Sequence, residues 1–550
     1  MQTNNTTKYF VAAFVMLVAA FMQCYKTIHN LHWAIEPDFD RDIAYIRTAL
    51  DGNYGKDPNY VGQYMWYNPL IFLSETLIVK LTGWPINIVV ARAGAFLNII
   101  NPIVFFIVVI KLFDYKIALA ALLSFLFLAA GNLPCWGVGT YSPWMISDTF
   151  VQFLFYISIF FCYRAFSTQK VLWFIILGAV IGLSFLGHSA PAILIILIII
   201  SLQVQKVWIA IRSKNYSSIK TYLLQGVFTF IPFVIFAFPF LYYVYGKYHF
   251  HFINRIILQC APGVFARKET FELLKLNVTF SLLIAAIGFV WFYLKFEKGV
   301  LRRIIWNWLL IAAFMYLYES AVPTADKILH INLPDTIPAF HYFFYLKTLQ
   351  SVFFAFGFMY LFNLGIGLKE RLSKVKVTSK QMEYHLLFCV LFYAAVYYPI
   401  YSKRADFTLM KQESIAKGNE KDKIDIYNFI SQNVTLDKVL LCSHDMSLFP
   451  VMPTGIKMVS VETYFSNPYV SYDKREKDRN DMLKYLATTD STVSPKLFYD
   501  YNVSVVLLEN KEFANFKCPL FATSKVIFKN GSYTILSFTM KIPRFHDTVN

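Results

Sequence analysis

Eleven long apolar segments recur along the chain, and this repetition constrains its fold more than any other feature. A helix that crosses a lipid bilayer needs about 20 mostly apolar residues. Only 15% of the 550 residues are charged, against roughly 25% in soluble domains. We therefore predict a polytopic α-helical membrane protein, which excludes a cytosolic enzyme, a disordered protein and a disulfide scaffold. The predicted spans are 9–29, 87–110, 117–131, 146–163, 171–186, 190–205, 222–245, 276–294, 304–318, 342–366 and 384–401.

The distribution of Lys and Arg predicts the orientation. With the N-terminus in the cytoplasm, the inner loops contain 17 basic residues and the outer loops 10, in line with the positive-inside rule. An odd number of spans then places the tail outside. We expect a transmembrane domain at 1–401 and a soluble extracytoplasmic domain at 402–550, in a multi-pass protein of the inner (cell) membrane. The net charge of +17 fits basic cytoplasmic loops and anionic membrane lipids, so we expect no nucleic-acid partner.

The tail has the pattern of a small α/β domain. A helical pattern at 425–430 precedes two apolar runs typical of strands, at 438–442 and 503–508. Near the end, Asn530-Gly531 separates two further runs, which is a strong signal for a β-hairpin with a two-residue turn. The predicted fold is thus a bundle of about eleven membrane helices followed by a C-terminal α/β domain.

The first outer loop, residues 30–68, carries the densest group of acidic residues. Its segment Glu36-Pro-Asp38-Phe-Asp40-Arg-Asp42 places four carboxylates within seven residues. Carboxylates at a membrane surface are costly to desolvate unless a cation or a substrate meets them. An Asp-x-Asp pair can hold a divalent metal such as Mg²⁺ or Mn²⁺, here through Asp38 and Asp40, or can supply a general base. The alternative is a solvated acidic loop without a chemical role.

The same loop continues with a predicted short helix over 43–52, which contains Tyr45. An apolar stretch at 69–81 follows and is too short to span, so we interpret it as an interfacial helix. Aromatic residues between the two helices are typical of the membrane interface, although they can also stack on a sugar ring. These aromatic residues are Tyr54, Tyr60, Tyr64, Trp66 and Tyr67, and they lead into Asn68-Pro69-Leu70.

This loop resembles the first outer loop of the GT-C fold glycosyltransferases. The resemblance rests on the acidic pair after the first helix, the short helix with its Tyr, the aromatic run and the Asn-Pro-Leu start of an interfacial helix. It implies an inverting transferase that moves a hexose or pentose from a polyprenyl-phosphate donor to a glycan, lipid or protein acceptor. No cofactor is certain, since several such enzymes need no metal.

The resemblance also implies a catalytic carboxylate among the loop residues. The family often has Asp-Glu before the helix Tyr, and alignment through Tyr45 puts Arg41-Asp42 there, so the choice among Asp38, Asp40 and Asp42 stays open. Asp40 is the first choice because it belongs to both Asp-x-Asp pairs, and a neighbouring carboxylate can raise its pKa.

Two further polar residues lie at the outer ends of predicted spans. Asp148 enters the fourth span from outside, where GT-C enzymes often place an acidic residue. The alternative is that Ser147 or Asp148 caps the helix. His188 lies at the outer turn between spans five and six, where it is either a substrate-binding residue or a backbone-bonded turn residue.

A leaving lipid phosphate requires a cation. The natural choices are Arg255, Arg267 and Lys268, because they lie in the long outer loop 246–272. The alternative role for all three is contact with lipid headgroups.

The tail segment 464–475 is similar to a stretch in the outer domain of actinobacterial galactan arabinofuranosyltransferases. This second resemblance implies an arabinosyltransferase of cell envelope biogenesis. The alternative functions are a transporter or lipid-carrier flippase and a non-catalytic assembly protein that binds glycan. Transporters tend to have charges within spans and repeated halves. Such features are scarce here, which favours the enzyme.

Overall fold

The computed structural model describes residues 6–128, 140–254, 264–330, 338, 340–488, 496–514 and 524–538, with only the backbone for 264–269, 323, 324, 326, 488 and 513. Within these ranges, eight helices are long and apolar enough to cross a membrane. A ninth span is bent by 91° between Thr270–Leu276 and Phe280–Lys295, and two apolar helices, Tyr115–Leu128 and Val171–Gly187, are shorter. Each of the eleven predicted segments coincides with one of these helices, so the polytopic helical fold is confirmed.

The membrane part contains seventeen α-helices in the described ranges, besides two short π-helical stretches, Ser124–Leu128 and Tyr242–Lys247. Some spans contain two of them, such as α4 with α5. The segments are α1 Thr7–Ile28, α2 Pro37–Leu50, α3 Leu70–Thr82, α4 Ile86–Leu97, α5 Ile100–Leu112, α6 Tyr115–Leu123, α7 Ser147–Phe150, α8 Gln152–Thr168, α9 Val171–Gly187, α10 Ser189–Arg212, α11 Tyr216–Leu241, α12 Val264–Leu276, α13 Phe280–Lys295, α14 Val300–Leu329, α15 Phe340–Ser373, α16 Ser379–Tyr401 and α17 Ala405–Gly418.

Small residues allow α13 and α15 to pack closely. A Cβ atom on Gly288 of α13 would lie 1.8 Å from the carbonyl oxygen of Phe353, and one on Gly357 of α15 would lie 2.0 Å from that of Ile284. The two backbones therefore touch, which is how small residues favour helix association in lipid. This contact fixes α13 against α15, the helix that also carries His341.

The C-terminal part is an α/β domain with a five-stranded sheet. Strand β1 pairs in parallel with β2 and β3, and β5 pairs antiparallel with β3 and β4, in the order β2-β1-β3-β5-β4. The predicted hairpin at Asn530-Gly531 is confirmed as the β4–β5 turn. The elements are α18 Lys421–Asn433, β1 Val439–Leu441, β2 Lys457–Met458, α19 Tyr472–Thr488, α20 Lys496–Asp500, β3 Val503–Glu509, α21 Asn510–Phe513, β4 Ser524–Lys529 and β5 Tyr533–Phe538.

The first loop is held against this domain. The backbone N–H of Met458 donates to the carbonyl of Asn59 at 2.7 Å. The side chain of Asn467 donates to Asp57 at 2.7 Å, and Tyr60 shares a 2.8 Å hydrogen bond with Ser466. Residues 57–60 are therefore part of the seam between the membrane helices and the C-terminal domain.

The helix in the first loop begins earlier than the sequence pattern indicates. Helix α2 starts at Pro37, not at residue 43, so Asp38, Asp40 and Asp42 are helical. Proline at the first helical position is favoured because its missing N–H has no helical partner there, and acidic residues in the first turn interact well with the helix dipole. The acidic segment that looks like a loop is thus a helix N-terminus.

Candidate active site

The helical period divides the acidic residues of α2 between two faces. Successive residues turn by about 100°, so side chains two apart point about 200° away from each other. Asp38, Arg41, Asp42 and Tyr45 consequently share one face. Asp40 lies on the opposite face, toward the C-terminal part of the chain.

Asp40 forms an ion pair on that opposite face. Its side chain is 2% exposed, and the Nζ of Lys417 lies 2.8 Å from both carboxylate oxygens. Lys417 also donates to the carbonyl of Ala34 at 2.9 Å. Burial raises the pKa of Asp40, and Lys417 opposes that rise. Both oxygens of the residue that the sequence favours as base are thus occupied.

The expected metal pair does not fit this geometry. Asp38 binds Arg41 while Asp40 binds Lys417, so their oxygens do not converge on one point. In the ranges that the structure describes, no cluster of three or more His, Cys, Asp or Glu could hold a metal ion. We therefore derive no step through a metal at Asp38 and Asp40.

Arg41 organises the face that carries Asp38. Its guanidinium pairs with Asp38 and donates from Nε and Nη2 to Asp42 at 3.1 and 3.0 Å. The Cζ atom stacks 3.4 Å from the ring centroid of Tyr67, whose hydroxyl shares a 2.8 Å hydrogen bond with Ser147. Sequence reasoning missed this role of Arg41, although its spacing from Asp38 is that of a helical ion pair.

A second polar group lies at the start of α7. Asp148 is 5% exposed, and its carboxylate lies 3.7 Å from Nε2 of His341. His341 donates from Nδ1 to the carbonyl of Pro338 at 2.9 Å, which leaves Nε2 facing Asp148. The ring of His341 stacks on that of His188, with centroids 4.6 Å apart.

His188 has the backbone-bonded role that the sequence left open, and its substrate-binding role stays a prediction. It caps α10, because its Nδ1 accepts from the N–H of Ala190 at 3.1 Å, and it also lies beside the Asp148–His341 pair. His341 is not among the site residues predicted from the sequence, because it is a single polar residue at the start of an aromatic-rich span. The structure thus places both Asp148 and His188 beside His341.

The two groups belong to one site. Asp38 acts electrostatically on both Asp148 and His341. The hydrogen bond between Tyr67 and Ser147 connects the face of α2 to the residue before Asp148. Two carboxylates, two imidazoles and a guanidinium therefore lie where α2 meets the starts of α7, α10 and α15.

Glu75 and Tyr45 are two further buried residues of this site. Glu75 of α3 is fully buried, and neither of its oxygens has a hydrogen-bond partner among the described residues. Burial raises its pKa well above the usual value, and Asp42 raises it further. Burial also raises the pKa of Asp42 to about 6, against the lowering effect of Arg41. Tyr45 packs against α3, with its ring centroid 4.7 Å from that of Phe72, so it connects α2 to α3.

The structure describes no side chain for the three predicted cations of the outer loop. Arg255 lies outside the described residues. Arg267 and Lys268 lie in α12, where the backbone alone is described. Their phosphate-binding role stays a prediction.

Comparison with known proteins gives the fold family. No family model and no curated protein sequence matches the chain. Among solved structures, ArnT from Cupriavidus metallidurans bound to undecaprenyl phosphate has a TM-score of 0.54 at 13% identity, over 95% of this chain and 97% of that one. Its apo form gives 0.54 at 14% identity, over 96% and 97%. The apo oligosaccharyltransferase of Archaeoglobus fulgidus gives 0.51 at 13% identity, over 90% and 69%. The chain therefore has the GT-C fold of these membrane glycosyltransferases.

Proposed function

We propose that this protein is an inverting membrane glycosyltransferase that takes a sugar from a polyprenyl-phosphate donor. The observation that carries the proposal is the meeting of the Asp38 face of α2 with Asp148, His341 and His188 on a GT-C fold. Fold alone does not define chemistry, so the function depends on what these side chains can do.

Asp38 is the best placed general base. Its side chain is 40% exposed, whereas those of Asp40 and Asp42 are each 2% exposed. A base must come within hydrogen-bond reach of the acceptor hydroxyl, and only an accessible carboxylate can do so. Arg41 holds Asp38 in place while one carboxylate oxygen remains for the acceptor.

We assign the leaving phosphate to the helix starts that carry His188 and His341. His188 caps the 24-residue helix α10, and His341 lies in the first turn of the 34-residue helix α15. Helix N-termini favour anions because their free N–H groups and dipoles point outward. A phosphate between these two ends is stabilised as the bond to the sugar breaks.

In the proposed reaction, Asp38 accepts the proton of an acceptor hydroxyl. The hydroxyl oxygen forms a bond to the anomeric carbon, and the bond from that carbon to the lipid-phosphate oxygen breaks with both electrons leaving on the phosphate. The product is a glycosylated glycan, lipid or protein, with inverted anomeric configuration. We place the reaction on the outer face of the inner membrane, with the C-terminal domain on the same side. The sugar class follows only from the tail resemblance, which favours arabinose in cell envelope biogenesis.

The test uses purified full-length protein in nanodiscs with a panel of polyprenyl-phosphate hexoses and pentoses. Release of free polyprenyl phosphate is the readout, and NMR of the product reports the anomeric configuration. We expect release with at least one donor and its loss in Asp38→Asn. Movement of the intact donor across a vesicle membrane without cleavage favours the flippase alternative instead. A donor-independent affinity of the tail for glycan, without cleavage, favours an assembly protein.

A further inference from the structure

A polar cavity of about 760 Å³ lies at the seam between α2 and the C-terminal domain. One side of it comes from the end of α2 and the first loop, and the other side comes from the segment between α18 and β1 together with Lys457 of β2. The domain packs directly on α2 here, since a Cβ atom on Gly455 would lie 3.5 Å from the carbonyl oxygen of Ala44. Ligand pockets commonly span about 300–1,000 Å³, so this cavity has the size of a binding site.

The cavity is separate from the candidate active site. Arg47, which lines it, follows Asp38 by nine residues on α2. At about 100° and 1.5 Å per residue, the two side chains point to opposite faces of the helix and lie about 14 Å apart along its axis. A ligand in the cavity therefore does not occupy the space next to Asp38.

Three cations line the cavity, and none of them forms an ion pair with a carboxylate in the ranges that the structure describes. The Nζ of Lys457 donates to the carbonyl oxygens of residues 57 and 58 at 2.6 and 3.1 Å, which uses two of its three N–H groups. The Nη2 of Arg47 donates to the carbonyl oxygen of Ser431 at 3.0 Å. Lys56 is exposed. Burial lowers the pKa of Lys457, so an anion beside it would favour the charged ammonium.

Two carboxylates also belong to the lining, Asp51 and Asp437, and both are exposed. Asp51 already accepts a hydrogen bond from the side-chain amide of Asn53 at 2.8 Å. A hydrogen bond from Thr435 lowers the pKa of Asp437. Water and salt screen exposed charges more than partly buried ones. The partly buried Arg47 and Lys457 therefore dominate the interior of the cavity, which favours an anion.

The rest of the lining suits a sugar. Aliphatic side chains form one part of it, and hydroxyl and amide groups form another. The aliphatic residues are Leu50, Ile86, Val434 and Leu436, and the polar ones include Thr48, Asn53 and Thr435. A sugar ring has C–H faces that pack on aliphatic groups, and its hydroxyls both donate and accept hydrogen bonds.

We propose that this cavity binds an acidic saccharide, with its carboxylate or phosphate group at Lys457 and Arg47. Charge-assisted hydrogen bonds to these two cations supply the specificity for the anion. The predicted orientation places the cavity outside the membrane, on the same side as the proposed reaction. The inference goes beyond the proposed function, because saccharide binding here requires neither a lipid donor nor sugar transfer.

Direct binding tests the proposal. The probe is a fluorescently tagged tetramer of galacturonic acid, added to full-length protein in phosphatidylcholine nanodiscs without a donor lipid. Its carboxyl-reduced form, a neutral galactose tetramer of the same linkage, is the matched control. We expect saturable binding of the acid and at least about tenfold weaker binding of the neutral sugar, the scale of one hydrogen bond to a charged group. A galactose tetramer with a single phosphate separates phosphate from carboxylate. Absence of saturable binding by both acidic probes would overturn the assignment.

Charge variants test the residues. Lys457→Met should weaken binding of the acidic probe about tenfold or more. Lys56→Met should weaken it about threefold, and it cannot disturb the seam, because no hydrogen bond of this side chain is found in the described part of the chain. Lys438→Met is the matched control, since Lys438 is exposed beside the cavity but outside its lining. Asp437→Asn should strengthen binding of an anion. Weaker binding by Asp437→Asn, or normal binding by both Lys457→Met and Lys56→Met, would contradict the proposal.

A pair of bulky variants tests the cavity itself. Thr435→Trp places a ring at an exposed position of the lining and should weaken binding, whereas Gln432→Trp, exposed nearby but outside the lining, should bind normally. Monodisperse elution and an unchanged melting temperature establish that each variant is folded. Normal binding by Thr435→Trp would place the saccharide elsewhere and overturn the assignment.

Competition separates the possible ligands. We expect the tagged acid to be displaced by the unlabelled tetramer, and only weakly by tetraglutamate or inorganic phosphate. Equal displacement by tetraglutamate would indicate an acidic peptide as the ligand, and equal displacement by inorganic phosphate would indicate a simple anion site. If the protein binds the acidic sugar through Lys457 but cleaves no donor, the proposed function fails while this inference stands. Donor cleavage without acidic saccharide binding has the reverse meaning.

Discussion

The Nζ of Lys417 lies 2.8 Å from both carboxylate oxygens of Asp40, in a buried ion pair that joins α17 to α2. Because Asp38 is on the same short helix, this pair sets where the proposed base stands. Asp40 is therefore a positioning residue in our interpretation, and its partner lies 377 residues further along the chain.

We expect Lys417→Met to destabilise the protein by about 3–5 kcal/mol, because it leaves a buried carboxylate without its partner. The exchange Asp40→Lys with Lys417→Asp restores opposite charges and should recover part of that loss. Thermal unfolding in detergent measures both. If the exchange variant were less stable than Lys417→Met, the pair would not be the source of the stability.

Substitution of Asp38 should separate chemistry from stability. Asp38→Asn removes the proposed base but keeps shape, so turnover should fall about 10²–10⁴-fold, with melting temperature and carrier binding nearly unchanged. Asp51→Asn is the matched control, since Asp51 is an exposed carboxylate at the end of the same helix. Near-normal turnover in Asp38→Asn would transfer the role of base to another group.

Glu75 predicts a dependence of stability on pH. Its pKa is raised in the folded protein, so the folded state holds the proton more tightly than the unfolded state, where the pKa is about 4.3. Stability contributed by the neutral acid is complete below about pH 4.3 and falls as pH rises toward the folded pKa. Glu75→Gln removes this loss and should raise the melting temperature at pH 8 by about 2 °C or more. At pH 4.5 the same substitution should change the melting temperature little. A variant that is less stable than wild type at pH 8 would show that the ionised carboxylate is needed.

Sidedness can be checked with single cysteines. Asn53 is partly exposed in the first loop, Ser532 is exposed in the β4–β5 turn, and Lys298 is exposed between α13 and α14. The basic-residue asymmetry predicts that a membrane-impermeant maleimide added to intact cells labels positions 53 and 532 but not 298. Lysed cells provide the control for reactivity. Labelling of 298 alone in intact cells would invert the proposed orientation.

The sequence is a good guide where a single length scale or period determines the structure. Apolar length locates the membrane helices, and the Asn530-Gly531 turn locates the β4–β5 hairpin. It is a poor guide for α2, because four acidic residues suggest a solvated loop while Pro37 in fact begins a helix. That difference reverses the geometry, since Asp-x-Asp residues converge in a loop but diverge on a helix.

Sequence patterns do not indicate which residues far apart in the chain contact each other. Nothing near Asp40 points to Lys417, and nothing near Asp148 points to His341. Both contacts depend on how whole helices pack. The candidate site was therefore found at the level of the loop and the helix ends, while the role of each carboxylate required the fold.

The sequence separation of Asp40 and Lys417 also has a consequence for biosynthesis. At about 5–20 residues per second, the ribosome needs about 20–75 s to make the intervening chain. During that time α2 has already been made, but Asp40 has no lysine to meet. The nascent protein must keep this carboxylate hydrated or protonated until α17 emerges, so the contact between α2 and α17 forms among the last steps of assembly.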